Sequence, residues 1–186
     1  MKTLSATAIL LVLAGGAGAQ SLTAEAERAV QIQDLLAELA IPGAATAEAV
    51  EQRIVRLWSQ SGSDTADLLL ERGREALEAE DYVLAAEHLT ALTDHAPEFA
   101  EGWASRAQVW FGMQEYGLAV DDLLRALSLN PDHFGAFTGL GVIYEDLGDY
   151  SLALRAIEEA HRLNPNSENV TETRDRLRRL SGTSTL

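Results

Sequence analysis

The chain has 186 residues, enough for one well-buried domain and too few for two large ones. It carries 29 acidic residues against 14 basic ones, a formal net charge of −15, and a field of that sign disfavours nucleic acid and anionic lipid surfaces. Cysteine is absent, which excludes a disulfide framework, a thiolate metal site and a cysteine nucleophile.

The N-terminus reads as a targeting segment. Lys2, the only lysine, gives a positive start, residues 6–14 form a short apolar core, and Ala17, Gly18 and Ala19 are the small residues a signal peptidase prefers. Residues 1–19 are therefore expected to be a signal peptide, with Gln20 the first mature residue. The apolar core is too short to span a bilayer comfortably. No cysteine follows the cleavage site and no later apolar run reads as a transmembrane helix. The expected product is exported and has no stable membrane insertion.

Residues 20–62 read as a helical hairpin. Over residues 23–40, Ala29, Ile32, Leu36 and Leu39 follow the spacing of one helix face, and Pro42 and Gly43 break the helix. Thr46 can cap a second helix running to about residue 60, with Val50, Ile54, Leu57 and Trp58 as its apolar stripe. The hairpin is expected to cap whatever follows. Residues 61–64 are a short polar linker.

Beyond the linker the sequence repeats. Pro97, Pro131 and Pro165 are 34 residues apart, and the same shift aligns Ala85, Ala119 and Ala153. It also aligns the pairs Asp81–Tyr82, Glu115–Tyr116 and Asp149–Tyr150. A fixed period of this size marks a solenoid of helix–turn–helix units, each too small to bury its apolar face alone. The units fall at about residues 66–99, 100–133 and 134–167, within a domain spanning 63–180. Helices end before Pro131 and Pro165 because proline disfavours helix in the preceding residue. A last helix over 167–180 presents Val170, Thr173, Leu177 and Leu180 on one face and arginines elsewhere, as a terminal unit requires. Residues 181–186 are expected to be a disordered tail.

Little chemistry is legible. His88, His95, His133 and His161 have no zinc spacing, and a structural role is expected for all of them. Asp121–Asp122 and Glu158–Glu159 are paired carboxylates whose members point in different directions on a helix, so both read as solvated faces. Residues 164–168 are polar but lack calcium-loop spacing. There is no phosphate loop and no nucleophile elbow. Neither a cofactor nor an enzymatic activity is expected.

These residues resemble the tetratricopeptide repeat. The third unit matches its pattern closely through Phe137, Leu140, Gly141, Tyr144, Ala153, Ile157, Ala160 and Pro165. The second keeps Trp103, Ala119, Leu123, Ala126 and Pro131, with Ala107 for the glycine. The first keeps Leu69, Gly73, Ala85, Leu89 and Pro97. Arg72 and Arg106 stand where the pattern has leucine. Gly73, Ala107 and Gly141 mark where paired helices approach most closely. The resemblance implies an all-α solenoid of three such repeats, with the N-terminal hairpin and a C-terminal capping helix.

The resemblance also implies a concave groove lined by the first helix of each unit. Leu70, Glu71, Arg74, Leu77 and Glu78 would line it in the first unit, and Glu101, Ser105, Gln108 and Phe111 in the second. Thr138, Val142, Glu145 and Asp146 would follow in the third. Chaperone-binding members grip a C-terminal carboxylate with a clamp of cationic and amide side chains. The matching positions here are Leu70, Arg74, Ser105, Gly135 and Gly139, so the clamp is absent. The chain looks like the small exported tetratricopeptide-repeat proteins of Gram-negative bacteria. The implied role is a periplasmic adaptor or assembly factor that binds protein or peptide, with basic residues flanking apolar anchors. The alternative is a homo-oligomeric structural protein that self-associates through its terminal helices.

Overall fold

The computed structural model describes residues 16–183. The apolar core of the expected signal peptide and the last three residues of the expected tail lie outside the described residues. Nine helices are present among them: α1 (Gly16–Leu39), α2 (Ala47–Trp58), α3 (Asp64–Glu78), α4 (Tyr82–His95), α5 (Ala100–Gly112), α6 (Tyr116–Leu129), α7 (Phe134–Asp146), α8 (Tyr150–Leu163) and α9 (Glu168–Thr183). The pairs α3/α4, α5/α6 and α7/α8 are the three repeats, and α9 packs on α8. The last helix continues to Thr183, past the expected end at residue 180.

The period is visible in the backbone. Helices α4, α6 and α8 all start at the recurring tyrosine and stop two residues before the recurring proline. Asp81 and Asp149 cap their helices by accepting the amides of Leu84 and Leu152 at 3.1 and 3.0 Å. Glu115, one methylene longer, makes no such bond. The turn before each tyrosine needs a left-handed residue. Glu80 (φ 57°), Gln114 (φ 63°) and Gly148 (φ 78°) fill that position, so only the third repeat uses the residue that adopts it without strain.

Paired helices meet through small residues. A Cβ on Gly73 would stand 2.5 Å from Leu89, and one on Gly141 would stand 2.4 Å from Ile157. Ala85, Ala119 and Ala153 are fully buried opposite them. In the second repeat Arg106 replaces the patterned leucine, and Asp122 compensates for it. Arg106 donates to both Asp122 oxygens at 2.7 and 2.8 Å, Trp110 Nε1 donates to the same carboxylate at 2.9 Å, and Arg106 also donates to Thr93. The expectation of a solvated carboxylate pair therefore holds for Asp121 and fails for Asp122, which is buried. The third repeat fills the same two positions with Leu140 and Ala156, so an ion pair in one unit replaces an apolar contact in the next.

The hairpin does not cap the first repeat by stacking on it. It folds back along the edge of the solenoid, where second helices end and first helices begin, and reaches the third repeat. Leu35, Leu36, Leu39, Val50 and Ile54 pack with Phe134 and Leu163, while Ala29 of the expected stripe stays exposed. The outward face of α3 explains this. It carries Glu71, Arg72 and Glu75 where α7 has Gly139, Leu140 and Ile143 to receive the preceding helix. All three charged residues are exposed, so the first repeat is already a polar terminus. The hairpin is instead fastened by two asparagines. Asn166 donates to the Leu39 and Ile41 carbonyls at 2.7 and 3.0 Å and accepts from the Gly43 amide at 2.7 Å. Asn164 donates to Glu51 at 2.8 Å. The polarity of residues 164–168 thus serves docking.

Candidate functional site

Helices α3, α5 and α7 line the inner face. Its best-formed feature is a cleft of about 240 Å³ between α5 and α7. Ala104, Phe111, Leu123, Val142 and Ile143 make its walls apolar, Gln108 and Thr138 add polar groups, and Glu101 with His133 closes one end. Gly135 and Gly139 keep it open. A Cβ on Gly139 would already stand 3.1 Å from Leu123, so larger side chains there would fill the space. Phe111 is half-buried and leans on Tyr116, ring centroids 5.8 Å apart.

The residues expected to line the groove separate into groups. Glu101, Gln108, Phe111, Thr138 and Val142 come together in this cleft. Leu70 does not present a surface: it is 2% exposed and packs with Ala66 and Leu89. Ser105 is equally withdrawn, and its hydroxyl has no hydrogen-bond partner. Leu77 is half-buried against the first repeat's core. Glu71, Glu78 and Asp146 are exposed, and Glu145 is engaged by Arg176 of α9 at 2.7 Å. Arg74 is not a free cation. It pairs with Glu101 and donates to Ser59 at 2.9 Å.

The sequence did not single out the pair at the closed end. His133 precedes α7, and the Ala136 amide donates to its Nδ1 at 3.1 Å. That bond places the proton on Nε2, which faces Glu101 Oε2 at 3.1 Å. Trp58 of the hairpin stacks on the imidazole at 4.8 Å and leans on Phe134 at 5.0 Å. Burial alone pushes the Glu101 carboxyl up, but the hydrogen bond from His133, then the charge and hydrogen bond of Arg74, hold it below its ordinary value of 4.5. The carboxylate is thus fixed, ionised and only 6% exposed. The signal that could have found it is weak. Glu101 and His133 are 32 residues apart, close to one period, but neither residue type recurs at the same position in the other repeats.

Among the described residues no group of three or more His, Asp or Glu side chains could hold a metal ion. No described helix is long and apolar enough to cross a membrane.

Models of the tetratricopeptide repeat match residues 70–126 and 135–167. A TPR repeat-containing protein of Rhizobium etli is 30% identical over 126 residues, covering 68% of this chain and 62% of that protein. Superkiller complex protein 3 of Homo sapiens is 32% identical over 111 residues, 59% of this chain but only 7% of its own length. Among solved structures, the first TPR of Spaghetti bound to an HSP90 peptide has a TM-score of 0.62 at 22% identity, covering 64% of this chain and 95% of that one. MamA has a TM-score of 0.60 at 19% identity, covering 76% and 87%. Both structures share the fold. The matched stretches coincide with the three helix pairs and their 34-residue period, and the chain belongs to the tetratricopeptide-repeat family.

Proposed function

We propose that this chain is a binding module that holds a peptide or protein segment in its concave groove and acts as an adaptor or assembly factor in the cell envelope. The observation that carries the reading is the apolar cleft between α5 and α7, open on the inner face with the Glu101 carboxylate at its closed end. The ligand is a segment with apolar anchors flanked by basic residues. Phe111 and Val142 receive the anchors, and the exposed Glu78 and Asp146 supply the attracting field, whereas Glu71 lies on the outward face of α3. An acidic C-terminal peptide does not fit. Of the five clamp positions only Arg74 is cationic, and Glu101 and Ser59 already engage it.

The envelope role rests on the export signal in residues 1–19. Cleavage after Ala19 would leave the hairpin residues that dock on the repeats intact. N-terminal sequencing of protein from a periplasmic fraction should read from Gln20, and Met1 retained in the membrane fraction would refute export. Binding is tested with peptides selected from a random library and titrated at two salt concentrations. Phe111→Ala should cost roughly 2 kcal/mol of affinity, as truncated interface aromatics do. Unchanged affinity would remove the groove as the site.

A further inference from the structure

A second cleft adjoins the groove at its closed end. It has a volume of about 340 Å³ and lies between the hairpin and the loops that precede α5 and α7. Ile32, Leu57 and Trp58 form its hairpin wall, and Phe99 and Asn130 form its repeat wall. Glu101 and His133 line both clefts.

We propose that the two clefts are one binding site with the hairpin as its second wall. The occupant is an extended peptide that places one apolar side chain in each cleft and a hydrogen-bond donor between them. This rests on the groove reading above. The partition between the clefts is rigid, because Arg74 and His133 hold the Glu101 carboxylate while the Ala136 amide and the Trp58 ring hold His133. A carboxylate has about four acceptor positions, and these two partners use two of them. What remains faces a crossing chain as an acceptor. A backbone amide of the crossing segment suits it. Both outer walls are apolar: Phe111, Val142 and Ile143 in the groove, Ile32, Leu57 and Trp58 under the hairpin. Arg28 also lines the hairpin cleft and donates to the Gln60 carbonyl at 2.8 Å. Each cleft alone is at or below the size of an ordinary small-ligand site, roughly 300 Å³ upward, whereas together they suit an extended segment.

The probe is a set of twelve-residue peptides selected from a random display library on the full chain, with binding read by fluorescence anisotropy. Ala29 is exposed on α1 and lines the second cleft, so Ala29→Trp fills that cleft without entering the core. Gln33→Trp, one turn along, repeats the test if the first variant fails to fold. Val142→Arg obstructs the groove from an exposed position. Both obstructions should weaken binding by roughly tenfold or more. Trimming the peptide at the end seated under the hairpin should abolish its sensitivity to Ala29→Trp. If only Val142→Arg weakens binding, the groove reading stands and the joined site is overturned. If only Ala29→Trp does, the joined site and the groove reading both fall, leaving the hairpin cleft alone. Insensitivity to both, or no peptide binding tighter than about 100 µM, overturns both proposals.

Discussion

Asn166→Ala should release the hairpin while leaving the repeats folded. The wild-type side chain makes three hydrogen bonds to the turn after α1, at 2.7, 3.0 and 2.7 Å. An intramolecular hydrogen bond contributes about 0.5–1.5 kcal/mol net, so three give roughly 1.5–4.5 kcal/mol. The turn is largely exposed and water can replace part of what is lost, which brings the expected cost to about 1–2 kcal/mol. Such a loss raises the population of the undocked hairpin about 5–30-fold. Native-state hydrogen exchange reads this directly. Amides of α1 and α2 should lose protection by that factor, while those of α3 to α8 change little, because the repeats bury their own cores. Equal loss of protection throughout would mean that hairpin and repeats unfold as one unit. Unchanged protection around Leu39 and Val50 would mean that the asparagine does not hold the hairpin.

Ala119→Glu should unfold the repeats cooperatively, because Ala119 is fully buried in the central unit and an unpaired buried carboxylate costs several kcal/mol; a melt within about 3 °C of wild type would contradict this. Gln114→Gly should relieve the left-handed residue in the second turn and stabilise by about 1 kcal/mol, raising Tm by about 2–4 °C, whereas Gly148→Ala should lower it by a similar amount. Glu101 has a carboxyl held below its unfolded value, so its contribution is present above pH 4.5 and is lost as pH falls through the depressed value. The Tm difference between wild type and Glu101→Gln should therefore be largest near neutrality and shrink on acidification below pH 4.5, and a difference that grows there would reverse the assignment.

The repeat architecture was legible because each unit carries its instructions locally. A tyrosine starts the second helix, a proline two residues past its end stops it, and Gly73, Ala107 and Gly141 set the closest approach. The groove was legible in its second and third units, where α5 and α7 are spaced by small residues. Leu70 and Ser105 eluded the reading because a position on a helix face does not tell whether a neighbouring helix covers it. The hairpin's destination eluded it because apolar stripes say that a helix must be covered and not by what. Signs were present, though they needed comparison between units. Glu75 stands where Val109 and Ile143 are buried, and Asp122 is buried beside Arg106 where the first unit, which also has arginine before its glycine, has His88. Each is a charge whose meaning depends on a residue in another helix.

The asparagine fastening reaches from the turn after α1 to the loop before α9, across 123 to 127 residues of chain. Solenoids ordinarily assemble from neighbour to neighbour, and any unit can start the process. Here one segment waits for another synthesised 123 to 127 residues later. During synthesis Leu35, Leu36, Leu39, Val50 and Ile54 have no cover until Phe134 and Leu163 have emerged and folded. This couples two distant segments of an otherwise modular chain, makes docking of the hairpin a late step, and leaves any chain truncated before Phe134 with an uncovered apolar hairpin.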